Sequence, residues 1–173
     1  MISRMIKAAA TVAFAGLLST SAFAAGDKDL GAFKKWQAHS YKESGKTVCN
    51  MWSRPTKHEE GGKARGEIFT FITHRPGGKR YHEVSLGMGY PLKEGSDVLV
   101  KIGSKVFKFF VHGQVAYAYK KDDKAIVKAM RGGSSMVVSG VSGRGTKTKD
   151  TYSLSGFSKA NNAINQACNV KKP

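Results

Sequence analysis

"DVLVKIGSKVFKFFVHG", Asp97 to Gly113, decides the fold. Two runs with period-two alternation flank the dipeptide Gly103-Ser104. A two-residue connection of this kind suits a type II′ turn, whose first central position needs positive φ. The turn sets the register. Val100 then faces Phe107 and Val98 faces Phe109 on one side, while Lys101 meets Val106 and Leu99 meets Lys108 on the other. One face is core and the other is mixed, so this is one hairpin of a larger antiparallel assembly.

The same alternation extends outward in both directions. "KTVCNMWS" (Lys46 to Ser53), "EIFTFITH" (Glu67 to His74) and "RYHEVSLG" (Arg80 to Gly87) read as strands. "RPGGK" joins the last two, with Pro76 and Gly77 suited to the central positions of a type II turn. "QVAYAYK", "SSMVVSGV" and "DTYSL" add further strands. Two helices are expected. "DDKAIVKAMRGG" has Asp122 as cap, Ile126, Val127 and Met130 as the buried stripe, and Gly132 at its end. In "SGFSKANNAINQAC", Ser155 caps the helix, and Leu154, Phe157, Ala160, Ile164 and Cys168 fall on one face. The expected fold is mainly β: a single-domain antiparallel β-sandwich or barrel-like fold with two short helices.

The start of the chain points to export. Arg4 and Lys7 precede an apolar run from Ala8 to Leu18, and Ala22 and Ala24 hold the small-residue positions of a signal-peptidase site. Cleavage is expected after Ala24, so that 1–24 is a signal peptide and 25–173 the mature domain. The apolar run is too short for a permanent anchor, and no transmembrane segment is expected in the mature chain. The expected location is the periplasm, with outer-membrane association or secretion as further possibilities. In an oxidising compartment the only two cysteines, Cys49 and Cys168, read as one disulfide.

Motifs for chemistry fail one by one. In "VVSGVSGRGTKT" (Val137 to Thr148), Gly140 and Gly145 have Walker spacing, but Thr146 displaces Lys147 and the following "KTKDTYSL" is β-prone. A phosphate loop needs a helix N-terminus there, so this is a hairpin connection. "KHEE" and "YHEV" lack the i, i+4 histidine pair of a helical zinc site. His82 and Glu83 point to opposite faces of a strand, whereas His74 and His82 can be cross-strand neighbours. No catalytic residue, cofactor or metal is expected, and no nucleic-acid motif is present. The alternative is a hydrolase of envelope material with a site assembled from distant residues such as His82 and Glu67.

Charge is the strongest compositional signal. The chain carries a net +17, and loss of 1–24 removes two cations and no acid, leaving +15. Solubility of a small domain asks for about 2 to 8. Such a field attracts polyanions and anionic membrane surfaces. Cations concentrate in expected turns, and Arg75, Lys79, Arg80, Arg144, Lys147 and Lys149 are the candidate anionic-ligand surface. Outside the cytoplasm its partners would be lipopolysaccharide, glycosaminoglycan or anionic lipid.

"TVCNMWSRP", "GYPLKEGSDVLVKI" and above all "SGRGTKTKDTYSLSGFSKANNAINQAC" resemble the invasion-associated locus B family, over nearly all of the mature chain. The resemblance implies a small exported β-rich protein of a Gram-negative bacterium. It implies a non-enzymatic role in host-cell interaction or envelope function, and supplies no active-site residues.

Overall fold

The computed structural model describes residues 27–59 and 65–173; the expected signal segment, 1–24, lies outside the described residues. The strands are β1 (Lys28–Phe33), β2 (Trp36–Glu43), β3 (Lys46–Ser53), β4 (Lys57–Glu59), β5 (Phe69–Arg75) and β6 (Arg80–Gly87). They continue with β7 (Val98–Ile102), β8 (Lys105–His112), β9 (Val115–Ala118), β10 (Ser135–Val141) and β11 (Lys147–Ser153). Helix α1 (Asp123–Gly132) separates β9 from β10, and α2 (Phe157–Ala167) follows β11. The fold is mainly β, as expected.

All eleven strands form one antiparallel sheet in the order β1-β2-β3-β5-β6-β9-β8-β7-β10-β11-β4. Its ladder is open, yet the sheet must curl. β3 and β4 stand eight strands apart in that order, which is about 38 Å on a flat sheet. Only Arg54, Pro55 and Thr56 connect them, a reach of about 14 Å. Trp36 Nε1 donates to the Ser153 carbonyl at 3.0 Å, and the Lys35 N–H reaches Ser155 at 3.3 Å. Side-chain and turn bonds therefore draw the two ends of the sheet together, giving the barrel-like outline.

The Asp97–Gly113 hairpin has the register its turn implies: Val98↔Phe109, Leu99↔Lys108, Val100↔Phe107 and Lys101↔Val106. Gly103 takes φ 58° and Ser104 is not among the positive-φ residues, the pattern of a II′ turn. The Pro76 turn differs from expectation. Pro76–Gly78 form a 3-10 turn, and the left-handed residue is Lys79 (φ 54°), not Gly77. Three residues rather than two are spent on the turn, which moves the left-handed position to its exit.

The core lies inside the curl. Its largest fully buried side chains include Trp36, Tyr152, Phe109, Phe157 and Met51. Helix α2 packs on β1, β2 and β3, and Phe157 meets Trp36 edge to face at 4.9 Å. Its cap is Gly156, not Ser155. Gly156 has φ 95°, and a Cβ there would collide with the Phe33 carbonyl, so backbone approach decides the position. Ile126, Val127 and Met130 are buried on α1 as read from the sequence. Asp122 flanks α1 without a side-chain capping bond, whereas Asp123 turns inward and accepts the Val84 N–H at 3.1 Å.

The two ends of the curl are built differently. At one, Cys49 and Cys168 are joined as a disulfide, tying β3 to the end of α2. Beside it, alternation along β5 points His74 inward, and His82, with positive φ in a bulge of β6 opposite it, also lies inside, with ring centroids 4.8 Å apart. The His82 N–H donates to His74 Nδ1, so His74 carries its proton on Nε2 and donates it to Asn165 of α2. At the other end, 88–93 runs beneath the hairpins. Met88 N–H bonds Gln114, Leu92 N–H bonds Gly113, and Lys93 N–H bonds Val141. Inside that end Arg65 forms a two-armed ion pair with Asp150 at 2.7 and 2.9 Å and bonds the Met88 carbonyl. Their side chains are 3% and 0% exposed.

Candidate functional site

The six cations expected to share one surface do not. Arg75, Lys79 and Arg80 surround the β5–β6 turn, whereas Arg144, Lys147 and Lys149 belong to the β10–β11 hairpin. Alternating strand direction across the intervening ladder puts those two turns at opposite ends of the curl. The physical reason is simple: a turn closing an ascending strand and one closing a descending strand cannot meet on the same rim. Within the first trio, Arg75 pairs with Glu43 (3.2 Å) and Glu83 (3.0 Å), and Arg80 pairs with Glu83 (3.4 Å). Within the second, Lys149 lies 3.8 Å from Glu59.

His82 and Glu67 do not converge either. Thr73 pairs with Glu83, Arg75 with Arg80 and Phe69 with Gly87, so Glu67 lies beyond one end of the β5–β6 ladder and His82 near the other. His82 is buried, and Glu67 is exposed and paired with Arg54. The assembled hydrolase site expected as an alternative has no geometry in these residues.

Arg75 and Arg80 instead rim a groove of about 990 Å³ on the outer face of the sheet. Strand alternation builds it. Cross-strand partners Phe71↔Ser85, Ser85↔Tyr117 and Tyr117↔Phe110 place one outward row over β5, β6, β9 and β8. Ser85 and the neighbouring Thr73 are small, so the surface dips between aromatic walls. Phe110 stacks on Tyr117 at 5.7 Å and 26°, and Tyr41 and Tyr81 add aromatic surface at the other side. The signal for this row was present in "FKFF": once Phe107 and Phe109 face the core, Phe110 must face out.

Charges in the groove are close to balanced. Arg75, Arg80 and Lys120 stand against Glu43, Glu83 and Asp123. Burial works against the Arg75 charge, but hydrogen bonds and attraction from Glu83 and Glu43 prevail and raise its pKa. Asp123 sits where β9 leaves the edge of β6, and burial pushes its carboxyl up to about 7, with the Val84 N–H opposing and Glu83 and Asp122 reinforcing. Such a lining offers ring faces and oriented donors and acceptors, the features that fix a bound polar chain.

The model of the family described as "Invasion associated locus B (IalB) protein" matches residues 36–165. Among curated proteins none matches the chain. The fold is similar to the crystal structure of invasion associated protein B from Bartonella henselae, with TM-score 0.56 and 16% identity, covering 79% of this chain and 95% of that one.

Proposed function

The chain belongs to the invasion associated locus B family, and on that premise we propose that it is an exported, non-enzymatic binding protein that holds an anionic glycan in the outer groove. The observation that carries this reading is the aromatic-walled, polar-floored groove on a strongly basic molecule. Ring faces carry negative quadrupole potential, and the C–H edges of a sugar ring meet it favourably. Arg75, Glu43 and Glu83 are mutually oriented and so present hydroxyl-binding groups at low entropic cost. The net charge, +15 once 1–24 is removed, acts at longer range, drawing phosphate or carboxylate substituents toward the surface. Envelope lipopolysaccharide and host glycosaminoglycan both have this chemistry.

Binding of soluble heparin and of purified lipopolysaccharide polysaccharide tests the proposal. Phe110→Ser with Tyr117→Ser is expected to weaken binding about tenfold or more while leaving thermal unfolding nearly unchanged, since both rings are partly exposed. Binding should also fall as salt rises, because exposed charges are screened over about 8 Å at physiological ionic strength. A double variant that binds both probes as the parent does would remove the groove from the function.

A further inference from the structure

We propose that the outer face of the β7–β8 hairpin is a docking surface for an anionic lipid bilayer. This goes beyond the groove and rests chiefly on residues outside it, Leu99, Lys101, Lys105, Val106 and Lys108, with Phe110 and Lys120 bordering both. Between Asp97 and Lys121 the chain carries five lysines (Lys101, Lys105, Lys108, Lys120 and Lys121) and a single acid, Asp97. Lys108 already neutralises that acid at 3.0 Å.

Register puts two of these charges, Lys101 and Lys108, in a checkerboard with apolar side chains, and Lys105 stands at the hairpin end. Leu99 lies directly opposite Lys108, and Val106 opposite Lys101. Leu99 is 42% exposed and Val106 57%, although both are aliphatic strand residues with nothing packed over them. Beyond them, Phe110 and Tyr119 are exposed and in contact at 5.3 Å, and the Lys121 ammonium lies 5.9 Å from the Tyr119 ring.

The interleaving of ammonium and apolar groups selects the partner. A protein surface closing over Leu99 and Val106 would strip water from Lys101 and from the Lys108–Asp97 pair, and would need a carboxylate for Lys101. A bilayer surface meets both needs at once. Aliphatic side chains enter the headgroup boundary, lysine stems lie along it, and the ammonium heads stay among lipid phosphates. Tyr119, a ring with a polar tip, suits the same depth. Anionic lipid is required because each lysine contributes through the negative surface potential.

Sedimentation of the full chain with phosphatidylglycerol-containing vesicles, and with pure phosphatidylcholine vesicles, tests this. Binding is expected to the first and not the second. Lys101→Gln, Lys105→Gln and Lys108→Gln together should weaken it on the order of 10- to 100-fold. Leu99→Ser with Val106→Ser should weaken it several-fold while leaving heparin binding at the groove intact. Neutralising Lys128, Lys159 and Lys172 is the control. Equal losses from the two lysine sets would overturn the proposal, as would equal binding to both vesicle types. So would a Leu99/Val106 variant that turns a dimer into a monomer with vesicle binding unchanged, since the face would then join copies of the chain. Failure here leaves the groove reading standing, because none of these five side chains lines the groove.

Discussion

The two ends of the curled sheet solve the same closure problem with opposite chemistry. At one end a covalent bond and an apolar helix do the work: Cys49–Cys168, with α2 and its Phe157 against Trp36. At the other, a buried ion pair between Arg65 and Asp150 fills the interior beneath the hairpins. The first device acts largely on the unfolded chain, which it restrains wherever it bends. The second acts only in the folded state and only while both partners are present. The two ends thus fail in different ways.

Removing the disulfide should give the largest effect. The two cysteines are 119 residues apart, and the chain-entropy relation gives about 5 kcal/mol for a loop of that length. Denaturant unfolding of Cys49→Ser with Cys168→Ser checks it. Hydrogen exchange sharpens the contrast, since α2 amides should lose most protection while those of 88–93 keep theirs relative to global unfolding. Uniform loss at both ends would mean that the ends form one cooperative unit.

Asp150→Ala comes next. It leaves the Arg65 guanidinium buried without its carboxylate, which typically costs about 3–5 kcal/mol. Replacing both Arg65 and Asp150 by Met and Leu should cost much less than either single change, as measured by a double-mutant cycle. If the double replacement is as damaging as the sum, the pair is not coupled and the comparison between ends fails.

Acid should separate the ends further. Burial lowers the His74 pKa to about 4, despite the Asn165 bond, with His82 reinforcing. Its folded pKa lies below the unfolded value of 6.5, so the native state loses stability as pH falls from about 6.5 toward 4. Asp123 has the opposite sign. Its folded pKa of about 7 lies above 3.8, so its contribution is present at low pH and is lost as pH rises toward 7. Urea titrations at several pH values should show Asp123→Asn gaining on the parent by about 1–3 kcal/mol as pH climbs from 4 to 8. A pH-independent difference would mean that the carboxyl is ionised in the fold throughout.

The smallest effect concerns the separated cation trios. Changing Arg144, Lys147 and Lys149 to Gln should shift stability by less than about 0.5 kcal/mol per residue. Changing Arg75, Lys79 and Arg80 should cost slightly more, because Arg75 and Arg80 meet carboxylates. Heparin binding should fall more for the trio beside the groove, and equal falls would erase the distinction.

Legibility in the sequence followed the burial pattern. β3, β6 and the β7–β8 hairpin were readable because their inward positions are apolar and their outward ones are not, so period two shows directly. β1 and β2 were not. β1 alternates poorly and contains Gly31 at φ 114° within a register shift. β2 places only Trp36 and Ala38 in full burial before turning polar. Both were overlooked because their order comes from α2 packing on them, a contact from the far end of the chain. The buried ion pair was equally opaque, since nothing local in "GGKARG" or "TKDTY" tells Arg65 and Asp150 that they will meet. For the groove, its aromatic positions lie on separate strands, and only strand order makes them neighbours. The cation trios show the converse error: clustering by residue type ignored which way each strand runs.

The Cys49–Cys168 bond also sets a schedule. Synthesis delivers Cys49 early and Cys168 119 residues later. No other cysteine lies between the two, so no competing partner for Cys49 emerges in that interval. The hazard lies between molecules instead: two chains that meet in the oxidising compartment before α2 docks can cross-link through Cys49 and leave each Cys168 without its partner. Encounters between unfolded chains, rather than shuffling within one, are therefore the route by which this bond would go wrong.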